Sequence, residues 1–309
     1  MNVPGLKTYH KVSYTAISPR LPELSQQGNT ILITGGSEGI GFAIGKAFIE
    51  ASAKELIIVS RSEEKINHAV IQLTRHASAV NPGSPTMVIG RICDVSSLSS
   101  TDSLWTGLQR EGKYVDVLVL NAAGVGAIKP LLEMGRDGVL NEFNSNFRSP
   151  LDFAERFYKQ SIPLKTSKRK VLVALSTLAI YLWNAVASRP AYGPSKSAGT
   201  LILQQFAREI KPDQMQISIV HPGAIWTDGM ARSGANATTY RYDDIDLPGH
   251  FVLWAASRQA EFLHGRFIWA NWDVDELRGE EFRKALEDNP NFLTVGVEGL
   301  SETKNLPVV

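Results

Sequence analysis

The sequence predicts an α/β protein: a single doubly wound, Rossmann-type parallel sheet of about seven strands with helices on both faces. Three observations carry this. Short runs of β-branched and aliphatic residues alternate with amphipathic helical stretches along the chain. The first run leads at once into a glycine-rich turn. Later runs end on small or polar residues, at the strand ends where such sheets bind ligands.

Residues 30–34 (Thr-Ile-Leu-Ile-Thr) read as a strand buried on both faces. Gly35-Gly36-Ser37-Glu38-Gly39-Ile40-Gly41 follows, then a helix with Ile40, Ala43, Ile44, Ala47, Phe48 and Ala51 at three- and four-residue intervals. Glycines allow positive φ and close backbone approach, and a helix N-terminus offers N–H groups to a pyrophosphate. Gly35, Ser37, Gly39, Ile40 and Gly41 are therefore candidate dinucleotide contacts. Their spacing is G-x-x-x-G-x-G, not the common G-x-G-x-x-G. Residues 55–60 form the second strand, whose end meets the adenosine ribose. NAD-type sites place an acid there, but this chain has Ser60 and Arg61. An Arg pairs bidentately with a 2′-phosphate, so the expected cofactor is NADP(H). The alternative for Arg61 is a solvated charge opening the next helix, where Glu63 and Glu64 suit the dipole.

Residues 66–76 read as a helix, ended by the Asn81-Pro82-Gly83-Ser84-Pro85 loop. The third strand, residues 86–92, delivers Cys93-Asp94-Val95, with Asp94 and Val95 placed toward the adenine. The alternative for Asp94 is the N-cap of a helix over 98–108. The fourth strand, 115–120, ends on Asn121-Ala122-Ala123-Gly124, where small residues let a flat cofactor lie against backbone (Asn121, Ala122, Gly124). Residues 131–163 look largely helical. The basic run 165–170 reads as a solvated loop, since no aromatic residues interleave it as a nucleic-acid surface needs. The fifth strand, 171–175, delivers Ser176-Thr177. A helix over 192–210 turns Ala198, Leu201, Ile202 and Phe206 to the core. The sixth strand, 216–220, precedes His221-Pro222-Gly223. Residues 227–249 are polar and irregular, as a lid would be, and 266–270 form the last strand. Residues 1–27 read as an ordered arm or frayed extension ahead of a 28–309 domain, with a mitochondrial presequence as the alternative. Residues 271–309 form a tail.

Within this frame Tyr192 and Lys196 stand four residues apart, on one helix face. A phenol beside an ammonium suits proton transfer, because the positive charge favours phenolate. Composition fits a soluble, cytoplasmic setting: 43% hydrophobic, 20% charged and a net charge of +1, which draws the chain to neither nucleic acid nor anionic membrane. The single cysteine, Cys93, excludes a disulfide framework and a cysteine-rich zinc site, and no apolar run reaches the length of a membrane span.

Together these residues resemble the short-chain dehydrogenase/reductase family. Thr34-Gly35-x-x-x-Gly39-Ile40-Gly41 looks like its cofactor turn, and Asn121-Ala122-Ala123-Gly124 its Asn-Asn-Ala-Gly motif, with Ala at the second place. Asn146 matches its helix Asn, and Ser176, Tyr192 and Lys196 its catalytic set. Pro222-Gly223 with Thr227 resembles its nicotinamide loop. The match spans roughly residues 28–270. The arm and the Trp269–Val274 stretch look like a subgroup common in filamentous fungi. The resemblance implies a carbonyl/alcohol oxidoreductase. Tyr192 would be its acid or base, Lys196 would hold the nicotinamide ribose and lower the Tyr192 pKa, and Ser176 would bind the substrate oxygen. Asn146 would hold a relay water, while Ile225 and Thr227 meet the carboxamide. It also implies a homodimer or homotetramer. Non-redox uses of the same site (epimerase, dehydratase, cyclase) and a redox-inactive cofactor-binding protein remain alternatives. One departure stands out. The Ser176–Tyr192 interval is three residues longer than the family's usual one, with Thr177 as the second candidate hydroxyl. The enlarged loop carries Ile180, Tyr181, Leu182 and Trp183, and Trp226 lies nearby. These residues suggest an apolar or aromatic substrate pocket, or else a dimer or lid contact.

Overall fold

Seven parallel strands run in the order β3-β2-β1-β4-β5-β6-β7 in the computed structural model, which describes residues 3–161, 169–227 and 241–297. They are β1 (Thr30–Thr34), β2 (Glu55–Ser60), β3 (Met87–Ile92), β4 (Val117–Leu120), β5 (Lys170–Leu175), β6 (Met215–His221) and β7 (Phe267–Trp269). The central strands are buried throughout because helices cover both faces. Strand order reverses between β1 and β4, and Thr34 pairs with Val59 on one side and Leu120 on the other. The crevice above that reversal is the ligand position of this architecture.

On one face α1 (Gly39–Glu50) packs between α2 (Glu63–Val80) and α7 (Asp246–Ala255). On the other lie α3 (Leu98–Arg110), α5 (Ser149–Lys159) and α6 (Tyr192–Glu209). Trp105 of α3 meets Phe153 of α5 edge-on at 5.9 Å. α2 outruns its predicted span because Ser62 caps its first turn, accepting from the Lys65 N–H, with Glu63 and Glu64 at the positive end of the dipole. Asp94 caps no helix. Its carboxylate takes the Ser96 N–H and hydroxyl, and Ser97 caps α3.

Three expectations need correction. Of the lid expected at 227–249, residues 228–240 lie outside the described set, and Asp246–Gly249 open α7 instead. That helix is buried almost all round, so it shows no amphipathic period to read. Its Pro248 sits in the first turn, where a missing N–H is harmless. Gly249 lets it approach α1, since a Cβ there would come within 3.0 Å of the Ala43 carbonyl. Second, residues 165–168 of the basic run lie outside the described residues, but Lys170 is a buried first residue of β5. Its ammonium donates to the Tyr158 carbonyl, and Arg169 pairs with Glu261. Third, α6 buries Ser195, Lys196, Gly199, Thr200, Leu203 and Gln204, and leaves Leu201 40% exposed. A Cβ on Gly199 would lie 2.0 Å from the Asn146 carbonyl, so the helix docks closely there and turns Leu201 outward, while Ile202 and Phe206 pack against the core as expected.

The arm and tail are one structural unit. The Tyr14 hydroxyl donates to the Trp272 carbonyl (2.9 Å) and accepts from the Val274 N–H (3.0 Å), and its ring stacks on His10 at 3.7 Å. Glu276 takes the Lys7 and Thr8 N–H groups, and Tyr9 bridges Trp272. Residues 3–27 are thus an ordered arm. Among the described residues no helix is long and apolar enough to cross a membrane, and no cluster of ligating side chains could hold a metal.

Candidate active site

The glycine turn is fixed from β4. Gly35 and Gly39 have φ of +67° and +57°, which only glycine adopts without strain. The Asn121 amide donates to the carbonyls of Thr34 and Gly35 (3.0 Å each), and Thr34 Oγ1 accepts from the N–H groups of Asn121 and Ala122. A Cβ on Gly41 would lie 2.2 Å from the Gly35 carbonyl, so α1 can begin this close to β1 only with glycine. No side chain caps the N-terminus of α1. The Asn121 side chain is therefore occupied in shaping the turn, and so are the N–H groups of Asn121 and Ala122. At the other end of the groove, exposed Arg61 follows β2 and Asp94 follows β3. Within the Asp94 site the Ser96 hydroxyl, and behind it Arg61 and Arg148, hold the carboxyl below its usual range. Arg148 donates to the Val95 carbonyl (2.8 Å).

Tyr192 is the first residue of α6 and Lys196 lies one turn on, so both point toward the end of β5. Here the structure departs from the expected pairing. Of the two hydroxyls it is Thr177 that acts on the Tyr192 phenol and lowers its pKa, while Ser176 Oγ bonds to Thr200 Oγ1 at 2.7 Å. The cause is strand alternation. The chain stays extended through Thr177 (φ −153°, ψ 151°), so neighbouring side chains take opposite faces. Thr177 Oγ1 also accepts from the Ala179 N–H (3.2 Å), which starts the 3₁₀ turn of the enlarged loop. Ser176 instead lines a cavity of about 20 Å³ with Lys196, Asn146 and Thr200. That is room for about one water.

Electrostatics around the phenol also differ from the expectation. Burial raises the Tyr192 pKa. The Thr177 hydrogen bond and the charge of Arg189 lower it, and Glu142 raises it. Lys196 is absent from these influences. Its ammonium donates to the Leu175 carbonyl at 2.6 Å, and burial brings it down to about 8. Arg189 and Glu142 are the residues that sequence reasoning missed. Arg189 Nη1 binds the carbonyls of Val125 and Gly126 (2.9 and 2.6 Å), and burial pushes the Glu142 carboxyl up against the opposing pull of Gly126 and Arg189. Their signal was spacing: Glu142 precedes Asn146 by one helical turn, and Arg189 precedes Tyr192 by three residues.

Asn146 lies in a π-helical turn, Asn144–Arg148, between α4 (Leu131–Phe143) and α5. Its side chain is fully engaged: Oδ1 accepts from the Gly124 N–H (3.0 Å), and Nδ2 donates to the Gly124 carbonyl (2.9 Å) and Ser195 Oγ (3.0 Å). It locks the end of β4 to α6. Such π turns are frequent at functional sites. Beyond β6, the loop Pro222–Thr227 reaches the glycine turn, and a Cβ on Gly39 would sit 3.4 Å from Thr227 Cγ2. Around the opening, Tyr181, Leu182 and Trp183 are about half exposed. The Trp183 ring lies against Gly193, and Trp226 tilts against Tyr242 at 5.3 Å.

A family model for short chain dehydrogenases matches residues 29–238, about two thirds of the chain and all of the turn, phenol and loop just described. The chain belongs to the short-chain dehydrogenase/reductase family. It is an oxidoreductase of that family. Its relatives include a short chain dehydrogenase/reductase of Claviceps purpurea, 37% identical over 94% of this chain and 93% of that one. Another, AacuD of Aspergillus aculeatus, is 33% identical over 94% and 95%. Among solved structures, L-sorbose reductase from Gluconobacter frateurii, complexed with NADPH and L-sorbose, superposes with a TM-score of 0.67. It is 17% identical and covers 80% of this chain and 96% of that one, a likeness of fold. The arm and tail are matched by the fungal relatives, which align over nearly the whole chain.

Proposed function

We propose that this chain is an NADP(H)-dependent enzyme that interconverts a ketone or aldehyde and an alcohol on an apolar or aromatic small molecule, with Tyr192 as general acid and base. The observation that carries it is the Tyr192 phenol at the start of α6 with Lys196 one turn along it, tied to the end of β5 at the Leu175 carbonyl, and Thr177 as the hydroxyl that lowers the phenol's pKa. The groove fits a dinucleotide. Positive-φ Gly35 precedes α1, which begins on positive-φ Gly39 and carries no side-chain cap, and Gly39 lies at contact distance from Thr227 of the loop after β6. Bound there, the nicotinamide supplies or accepts the hydride.

The chain's own residues divide the remaining work. Backbone N–H groups of Ser37, Gly39, Ile40 and Gly41 hold the pyrophosphate, and Gly35 sets the turn. Arg61 pairs with the 2′-phosphate, and Asp94 and Val95 flank the adenine. Backbone at Asn121, Ala122 and Gly124 lines the ribose side, and Pro222, Gly223, Ile225 and Thr227 hold the carboxamide. Tyr192 gives its proton to the substrate oxygen as charge develops on it, and Thr177 donates a second hydrogen bond to that oxygen. Lys196 holds the ribose hydroxyls. The small cavity behind it, lined by Asn146, Ser176 and Thr200, supports a one-water proton path. Exposed Tyr181, Leu182 and Trp183 support an apolar substrate wall. Exposed Leu201 on α6 supports pairing of two copies in a cytoplasmic homo-oligomer.

The test is consumption of NADPH and of NADH over a panel of ketones, quinones and polycyclic phenols, with product analysis. The reading expects NADPH oxidised one-for-one with an alcohol product. A clear NADH preference contradicts the Arg61 assignment, and product without net cofactor consumption contradicts the redox reading.

A further inference from the structure

Asp243 stands outside every motif quoted above, yet it grips the loop assigned to the carboxamide. Its side chain is 1% exposed. Oδ2 accepts from the Ala224 N–H (2.9 Å) and from Asn271 Nδ2 (2.9 Å). Its own N–H donates to the Ala224 carbonyl (2.8 Å), and Asp243 forms a parallel bridge with Ile225. Gly223, at φ +89°, makes room for this carboxylate, because a Cβ there would lie 2.6 Å from Asp243 Oδ2 and 3.0 Å from Asn271 Oδ1. A buried carboxylate is unfavourable unless it is paired and hydrogen-bonded. The pairing cation comes from the N-terminal arm, where Lys11 Nζ lies 3.2 Å from Asp243 Oδ1 and donates to the Arg241 carbonyl (2.8 Å). The arm is held in turn. The Lys11 carbonyl accepts from the Asp244 N–H (2.7 Å), the His10 N–H donates to the Asn271 carbonyl (2.7 Å), and Asn271 Nδ2 donates back to the His10 carbonyl (2.8 Å). Asn271, fully buried just past β7, is the post to which arm, Asp243 and loop are all tied.

We propose that Asp243 is a positioning residue for the nicotinamide end of the cofactor, and that the N-terminal arm, through Lys11, is the clamp that keeps it in place. The inference rests on the NADP(H) reading above. It makes the arm part of the cofactor site, although the arm lies at the far end of the sequence from Asn271. With the clamp released, Asp243 must hold its charge in a buried niche without its cation, and residues 223–225 lose the conformation that presents their backbone to the carboxamide. The pyrophosphate and adenine contacts, on β1–β3, are untouched.

The test compares two ligands on the full chain. NADPH is titrated by its fluorescence, and 2′-phospho-ADP-ribose, which lacks only the nicotinamide, by calorimetry. Wild type, Asp243→Asn, Lys11→Met and Lys11→Arg are compared. Asp243→Asn is expected to weaken NADPH about 10-fold, the loss of a charge-assisted hydrogen bond, while 2′-phospho-ADP-ribose stays within about twofold. Lys11→Met is expected to shift in the same direction by about 3-fold to 10-fold, and Lys11→Arg to restore most of it. Should Asp243→Asn fail to fold, the partly exposed Lys11 variants decide the matter. Equal weakening of both ligands, or of neither, overturns the proposal while leaving the cofactor reading intact. Wild-type protein that binds no NADPH overturns the cofactor reading and this inference with it.

Discussion

Replacing Thr177 by Val keeps the shape and branching of the side chain and removes the hydroxyl that meets the Tyr192 phenol. The site loses two things. The phenol loses the hydroxyl that lowers its pKa in a buried setting, which costs about 1–3 kcal/mol, or roughly 5- to 150-fold in rate. The substrate oxygen loses one of its two donors, and removal of one such donor lowers kcat about 10²- to 10³-fold. The two losses share one hydroxyl and overlap, so the expected fall in kcat is about 10²-fold, with Thr177→Ser keeping most activity. Loss of the bond from the Ala179 N–H should also lower stability by about 1 kcal/mol. Ser176→Ala is the contrast. It breaks the buried Ser176–Thr200 bond, at about 1 kcal/mol of stability, and should leave kcat within about threefold. Steady-state NADPH oxidation with urea unfolding of each variant gives both numbers. A 10²-fold loss in Ser176→Ala with Thr177→Val near wild type would refute the assignment and restore the hydroxyl expected from the motif.

The remaining predictions use other parts of the site. Arg189→Met removes a positive charge that lowers the Tyr192 pKa, so the base limb of the pH–rate profile for alcohol oxidation should move to higher pH; an unmoved limb would exclude Arg189 from tuning the phenol. Arg61→Glu places an acid beside the expected 2′-phosphate and should weaken NADPH about 100-fold while sparing NADH, measured as the ratio of the two Kd values. His221 is buried, with Nδ1 unpartnered among the described residues, and burial lowers it from 6.5 to about 3 despite Asp243. The folded protein therefore binds fewer protons than the unfolded chain between those values. This contribution to stability is full above about pH 6.5 and is lost as pH falls toward 3, with a ceiling on the order of 5 kcal/mol. The difference in urea stability between wild type and His221→Gln should shrink across that window; a pH-independent difference would contradict it.

The parts of the site that were legible in the sequence rest on local rules. Gly35, Gly39 and Gly41 announce themselves because only glycine meets the φ values and close contacts found there, and β1 and β4 because a strand covered on both faces must be apolar. Tyr192 and Lys196 were legible as a pair because helix periodicity fixes their shared face. What stayed hidden depends on context. Ser176 and Thr177 differ by one step of strand alternation, and nothing local says which of them acts on the Tyr192 phenol. Leu201 was misassigned to the core face of α6 because the helix docks through Gly199 on the Asn146 carbonyl, whereas Ile202 and Phe206 do pack against the core. α7 was invisible because a helix buried nearly all round has no polar stripe. The Asp243–Lys11–Asn271 tie joins residues hundreds of positions apart, and no short-range pattern marks it.

The central claim is that Tyr192 transfers the proton in a hydride-coupled carbonyl reduction. Tyr192→Phe tests it most directly, since the ring stays and only the hydroxyl leaves. With a carbonyl substrate identified for the wild type, NADPH turnover and NADPH fluorescence titration are run on both proteins. The account predicts turnover lowered by at least about 10²-fold, the general-acid contribution, with NADPH affinity within about threefold. Turnover at the wild-type level in Tyr192→Phe would contradict it.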